Sequence, residues 1–434
     1  MPHAPTQDAA LEAATMRRVF MRLMPFLLLA YLICYIDRVN VGFAGLQMNH
    51  DLGLSKTVFG LGGGIFFVGY FLLEVPSNLA LERFGASRWI ARIMISWGIV
   101  SGATALSAGA GSFLTLRFLL GVAEAGFFPG VILYLTYFFP ATYRARIVGV
   151  FMVAIAAAGF VGSPISGAIL YLDGWLGVRG WQWVFILEAI PAVLMGLLAL
   201  VWLTDTPAHA RWLTPAQRDW LSAKLAAERA REVRVPHMSV WRVIREKHVL
   251  VMALVYSGPA AASSGLNIWL PTIIKSFGLT NMQTGFLTAV PYGIAAVLMV
   301  LWGHHSDRVG ERIWHTAVPI ATIAAGLLLT FFVSSLWPVM LLMTLVVVAT
   351  RASNGPFWAL STEFLSAPVA AAGIAQINAL GNLSGFGANY LIGAIADATG
   401  SYPLSLAPMM LLAAVAAAAV VWISRGHVSV VAAE

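Results

Sequence analysis

Three arginines and two acids interrupt segments of this chain that are otherwise apolar. In YLICYIDRVNVGF, Asp37 and Arg38 are adjacent and Asn40 follows closely. In RFLLGVAEAGFFPG, Arg117 and Glu124 stand seven residues apart. In TRASNGPFWALSTEF, Arg351 has no acid within a turn or two on its N-terminal side. A charged side chain at a bilayer centre costs roughly 2.5–3.5 kcal/mol on insertion scales, so such residues face cavities or partners rather than lipid. Their chemistry is specific. A guanidinium presents a planar fork that matches a carboxylate. Burial favours the protonated form of a carboxyl and a nearby arginine favours the ionised one, and the opposing effects can poise a group to titrate near ambient pH. These residues therefore suit the handling of an anion and a proton. An ion-pair cluster that only fixes helix packing is the competing reading.

Helical geometry sorts these groups. Asp37 and Arg38 point about 100° apart, so one can face a cavity while the other faces a neighbouring helix. Arg117 and Glu124 share a face, and so do Arg351, Gly355 and Trp358. With Arg38, Arg117 and Arg351 all available, an acid suits the site better than a neutral sugar. Tyr35 and Tyr70 could donate hydroxyl hydrogen bonds into the same space, and Asn267, before WLP, suits either cavity or gate. Asn378 and Asn382 lie one turn apart. The glycines of GLGGGIFFVGYF allow close helix approach. No Lys-Ser/Thr follows them, so they are not read as a phosphate loop. His304 and His305 have no companion ligand cluster and are expected to bind no metal, and no cofactor is expected.

The elements that must position these residues follow from composition. Of 434 residues, 59% are hydrophobic and 10% charged, against about 25% charged in soluble domains. Lipid is the expected solvent. Cys34 is the single cysteine, which excludes an internal disulfide and a cysteine metal cluster. A span needs about 20 mainly apolar residues. On that template the fold is all-α and polytopic, with about twelve transmembrane helices. They fall near 19–47, 57–81, 88–107, 112–138, 146–172 and 182–203, then 248–274, 282–303, 314–333, 337–362, 370–396 and 403–424. The expected organisation is an N-terminal tail (1–18), a six-helix bundle (19–203), a linker (204–247), a second bundle (248–424) and a C-terminal tail (425–434). The tail MPHAPTQDAALEAATMRR has no apolar core and is read as cytoplasmic rather than as a cleavable signal. In the linker, TPAQRDWLSAKLAAERAR reads as a surface helix capped by Thr214.

Most of the 26 Lys and Arg residues fall in loops on one side. Lys56, Arg179 and Lys275 lie on the other, and Arg38, Arg117 and Arg351 within spans. The positive-inside rule then puts both termini and the linker in the cytoplasm. The basic residues do not form a nucleic-acid patch. The halves also repeat. Glu82, Arg83 and Gly85 of NLALERFGASR align with Asp307, Arg308 and Gly310 of GHHSDRVGERI at a constant offset of 225. Arg117-x-x-x-Gly recurs at Arg351 at an offset of 234. A doubled six-helix unit with its site between the halves is a transporter plan.

At these residues the chain resembles the major facilitator superfamily, whose signature loop both repeated segments resemble. Within it, YIDRVNVGFA, EVPSNLALERFGASRWIAR, RFLLGVAEAGFFPG and LNIWLPTII resemble the anion:cation symporter family, especially its bacterial tartrate, phthalate and hydroxyphenylacetate permeases. The resemblance implies proton-coupled import of an organic anion by alternating access, as a monomer in a bacterial inner membrane. It gives Asp37 and Glu124 the proton, Arg38 or Arg117 the substrate carboxylate, and Trp358 and Asn378 substrate contacts. Glu82, Arg83, Gly85, Asp307, Arg308 and Gly310 are expected to gate access. Anion exchange without a proton and a non-transporting sensor on the same scaffold are the alternatives. No activated serine, metal cluster or ATP-binding motif supports an enzyme.

Overall fold

In lipid every backbone N–H and C=O must be satisfied within its own segment, which for apolar runs of this length means helices. The computed structural model describes residues 7–231, 246–364 and 367–431. Parts of the expected tails and linker (1–6, 232–245 and 432–434) lie outside the described residues. The first half contains α1 (Gln7–Asp51), α2 (Lys56–Phe84), α3 (Ala86–Ala103), α4 (Ala110–Glu124), α5 (Phe127–Thr136), α6 (Ala141–Ile169) and α7 (Gly180–Trp202). Helix α8 (Pro215–Arg231) follows, with Thr214 Oγ1 accepting from the Gln217 N–H. The second half contains α9 (Lys247–Lys275), α10 (Asn281–Val309), α11 (Ile313–Leu329), α12 (Leu336–Ala352), α13 (Asn354–Phe364), α14 (Ala367–Thr399) and α15 (Ala407–Val431). No strand occurs among the described residues. The pairs α4–α5 and α12–α13 each make one pass, giving six passes on either side of α8.

Two runs read from the sequence as single spans are interrupted, and both breaks fall beside charged residues. After Glu124 the chain turns at Gly126, whose φ of 83° lies in the left-handed region. The Ser77 hydroxyl packs so close to Gly126 that a β-carbon would not fit. Glycine is the residue that tolerates both conditions. Pro129 then falls in the first turn of α5, where it costs no hydrogen bond. The second break is a turn at Ser353, two residues after Arg351.

Among the described residues, the close backbone approaches between the halves gather toward one end. Gly42 of α1 lies under the Ile268 carbonyl of α9, Gly60 of α2 under the Asn389 carbonyl of α14, and Gly167 of α6 against Gly285 of α10. Small residues let backbones approach this closely. All three contacts lie toward the end opposite the chain termini. The hydrophobic core is divided in the same way. One buried cluster joins the second half to Val39, Phe43 and Phe59 near that end. The other, from Met16 to Leu225, is built of residues of the first half and of the linker with α8. Toward the end that holds the termini, positions such as Gly149 on α6 and Gly303 on α10 have no neighbour within 4 Å. The molecule is closed at the far end and open at the basic, terminus-bearing end.

Candidate functional site

Helix α1 delivers its two charges in different directions, as their adjacency requires. Arg38 turns to α4, where its Nε donates to Glu124 Oε1 at 2.5 Å and its Nη2 meets the same oxygen. The Cys34 thiol donates to that oxygen too, at 3.1 Å, while Glu124 Oε2 has no partner. Glu124 is buried, whereas the Arg38 side chain keeps 19% exposure. The rings of Tyr35 and Tyr70 lie 5.1 and 5.2 Å from the Arg38 guanidinium carbon, within cation–π range. Glu74 on α2, half-buried, is a further acid within electrostatic reach of Arg38.

Asp37 points the other way, into the seam with α3. Its oxygens accept from Trp97 Nε1 at 2.8 Å, Ser101 Oγ at 3.1 Å and Asn40 Nδ2 at 3.2 Å. No ion pair holds it. Arg117 is buried as well. Its Nε donates to the Gly62 carbonyl at 3.2 Å, Phe66 lies 5.3 Å away, and one terminal nitrogen, Nη1, is unpartnered. Of the four charges of Asp37, Arg38, Arg117 and Glu124, only Arg38 and Glu124 form an ion pair among the described residues. The physical reason is the 100° step: with Arg38 committed to α4, Asp37 must face elsewhere.

In the second half, Arg351 approaches Asn267 Oδ1 of α9 at 3.5 Å, a long contact. Tyr292 OH donates to the same oxygen at 2.9 Å. Arg351 Nε is buried and unpartnered. Trp358 packs against Tyr256 at a 5.0 Å ring separation, and Phe357 stacks on Tyr256 at 5.2 Å. Tyr256 in turn interacts electrostatically with Tyr35 and Glu74 of the first half and with Arg351, so it stands where the halves face each other. Asn378 and Asn382 on α14 are half-buried and make no hydrogen bond with another described residue.

The signature loops are local structures at the open end. Gly85 (φ 91°) ends α2, and Asp205 caps α3 by accepting the Ser87 N–H at 2.8 Å. Glu82 and Arg83 are exposed and form no ion pair. Asp307 pairs with Arg312 at 2.6 Å within its own half, Arg308 is exposed, and Gly310 (φ 72°) ends α10. Among the described residues none of these side chains forms a hydrogen bond or ion pair with the opposite bundle. His304 and His305 belong to the last turns of α10, and His305 Nδ1 lies 2.7 Å from His315 Nε2. Among the described residues no group of three or more possible ligands is arranged to hold a metal. Two apolar grooves, of about 390 and 380 Å³, lie on the outer surface at Trp314–Trp422 and at Gly98–Ile190, away from the charges.

The bundles are tied instead at the closed end, by a residue that the sequence did not single out. Asp397 of α14 accepts the backbone N–H groups of Lys56 (3.1 Å) and Thr57 (2.7 Å) and the Thr57 hydroxyl (2.6 Å). Lys56 Nζ returns a bond to the Ala396 carbonyl at 3.3 Å. An anion at a helix N-terminus meets unpaired N–H groups and the favourable end of the dipole.

Comparison with known proteins extends these observations. The family description Major Facilitator Superfamily matches residues 27–389. The chain is 50% identical over 395 residues to an Agrobacterium vitis protein titled "Putative tartrate transporter", with 91% of each chain covered. Two solved structures share the fold at 18% identity. A bacterial homologue of the human lysosomal transporter Spinster, in an inward-facing and unoccupied conformation, gives a TM-score of 0.76 over 94% of this chain and 97% of its own. A D-xylose–proton symporter gives 0.73 over 92% and 97%. With its two six-pass halves and paired signature loops, and with the family match over residues 27–389, the chain belongs to the major facilitator superfamily.

Proposed function

We propose that this protein is a proton-coupled importer of a small organic anion, with carboxylates of the tartrate kind the first candidates and aromatic acids such as phthalate or hydroxyphenylacetate next. The observation that carries the reading is the Arg38–Glu124 pair: a partly exposed arginine whose one ion-pair partner among the described residues is a buried carboxylate of the protein itself. A substrate carboxylate competes with Glu124 for that guanidinium. Once displaced, Glu124 is a buried acid that has lost its ion-pair partner, which favours its taking a proton. Anion entry and proton uptake are thereby linked on one arginine. Arg351, with an unpartnered Nε and a long contact to Asn267, supplies a second cationic contact from the opposite bundle. Arg117, Tyr35, Tyr70, Trp358, Asn378 and Asn267 complete the substrate surface, and Asp37 is the second proton site. The name of the Agrobacterium vitis relative supports the substrate class.

In this reading both termini and the linker (204–247) face the cytoplasm of a bacterial inner membrane, and bundles 19–203 and 248–424 rock about the site in a single chain. Residues Glu82, Arg83, Gly85, Asp307, Arg308 and Gly310 latch the terminus-bearing end when it closes. The test is uptake of labelled tartrate, phthalate and hydroxyphenylacetate into proteoliposomes under an imposed pH gradient. Accumulation that a protonophore collapses is the expected result. Asp37→Asn and Glu124→Gln should lose gradient-driven uptake while keeping counterflow of substrate. Uptake indifferent to the gradient, with one-for-one exchange intact, would replace symport by exchange.

A further inference from the structure

A third buried carboxylate, linked to Asp37 through Asn40, has no part in the mechanism above. Glu188 of α7 is 6% exposed. The Ser166 hydroxyl of α6 donates to its Oε1 at 2.6 Å, and its Oε2 is buried with no partner. Asn40, which donates to Asp37 Oδ1, also interacts through its side chain with Glu188, and the Asn40 Oδ1 acceptor is itself unpartnered. Around this pair, α3 brings Trp97 and Ser101 to Asp37, and Arg117 and Glu124 of α4 act on Asp37 from its other side. The charged group facing Glu188 is Asp37 alone, and no Lys, Arg or His forms an ion pair with Glu188 among the described residues.

We infer that Asp37 and Glu188 share one proton, with Glu188 as its station nearer the closed end. Two neighbouring buried carboxylates with no cation between them are not both ionised. Their surroundings divide the roles. Asp37 has three donors in place for an ionised carboxylate, and Glu188 has the single Ser166 hydroxyl. A proton on Glu188 also supplies a donor where Asn40 Oδ1 and Glu188 Oε2 are two acceptors without one. Position gives the transfer a direction. Glu188 lies eight residues into α7 (188 − 180) from the closed end, and Asp37 fourteen (51 − 37) from that end of α1, or about 12 and 21 Å at helical rise. In the transfer an O–H bond breaks at Glu188 and one forms at Asp37. Glu188 becomes the carboxylate, Asp37 becomes neutral, and the pair keeps its total charge.

This inference rests on the symport reading, and the experiment separates the two. Wild type, Glu188→Gln and Asp37→Asn are reconstituted and compared by infrared difference spectroscopy, counterflow and pH-gradient-driven uptake. A protonated-carboxyl band should be present in wild type, lost in Glu188→Gln and retained in Asp37→Asn. Glu188→Gln should keep counterflow and lose about tenfold in accumulation per unit of imposed pH gradient, the value of one coupled proton. If wild type ignores the gradient, symport itself fails. If wild type responds and Glu188→Gln matches it in accumulation and in protons per substrate, Glu188 is a structural residue and the inference is overturned. Should the glutamine variant not reach the membrane, Glu188→Asp must shift both the band and the pH profile of uptake. An unchanged band and profile would overturn the inference equally.

Discussion

Arg351 is where a charge-assisted contact to substrate is most separable from protein structure. Its one side-chain hydrogen bond among the described residues is 3.5 Å long and its Nε has no hydrogen-bond partner, so truncation breaks few polar contacts within the chain. Arg351→Ala should weaken binding of acids by about 10- to 100-fold, the worth of a charged hydrogen bond of ~1.5–3 kcal/mol, and leave neutral amides of the same acids far less affected. Competition binding on purified protein measures both. The residue scale was also the most legible in the sequence, for an energetic reason. A lone ion in an apolar run is conspicuous, so Asp37, Arg38, Glu124 and Arg351 stood out. Glu188 in FILEAIPAVLMG and Glu74 in FLLEVPSN met the same criterion. They went unread because no basic residue stands near them in sequence. A buried acid whose neighbours Ser166 and Asn40 come from two other helices announces itself only once those helices are packed.

At the scale of elements, the breaks at Gly126 and Ser353 had partial signals. The Gly-x-x-Pro of AGFFP marks the first, and the Asn354-Gly355-Pro356 run directly after Ser353 marks the second. The Asp397 contact could not be read at all, because its partners are 340 and 341 residues away. Asp397→Ala should remove about 1–2 kcal/mol from the closed end, as loss of a helix N-cap does, and shift its opening equilibrium by roughly 5- to 30-fold. Spin labels on Gly149→Cys and Gly303→Cys, at the open end of α6 and α10, should then report an added population with a changed separation. The α10–α11 turn makes a separate prediction. Partial burial pushes the Glu311 carboxyl up, but hydrogen bonds from the Trp314 N–H and from His315 outweigh it and hold the group below its ordinary value. A depressed carboxyl contributes stability above its unfolded value of about 4.3 and loses it as pH falls through the folded value. Amide exchange at Trp314 and His315, relative to the intrinsic rate at each pH, should therefore be flat near neutrality and accelerate only in acid below about pH 4. Glu311→Gln should speed it by about two- to fivefold at pH 7 and abolish that acid dependence.

For the whole molecule, two halves that touch at one end form a rocker whose state can be trapped. A Thr57→Cys, Asp397→Cys pair, bridged by oxidation or a short bifunctional thiol reagent, should hold the far end shut. Transport should stop and return with reductant, while binding from the terminus-bearing side persists. The background is favourable because Cys34, the single native cysteine, is buried against Glu124. Transport that continues through the cross-link would show that the two ends do not alternate. The architecture itself was foreseeable from hydropathy, charge bias and the repeated loops. The conformational state was not, since the same apolar runs and glycines serve either arrangement of the halves.

The joint between α2 and α14 has unequal leaves. On one side stands a single replaceable carboxylate, and on the other mostly main-chain N–H groups that every amino acid except proline carries. A saturation library across both strips should therefore be lopsided. Position 397 should tolerate almost nothing, while 56 and 57 should accept broad exchange and reject proline.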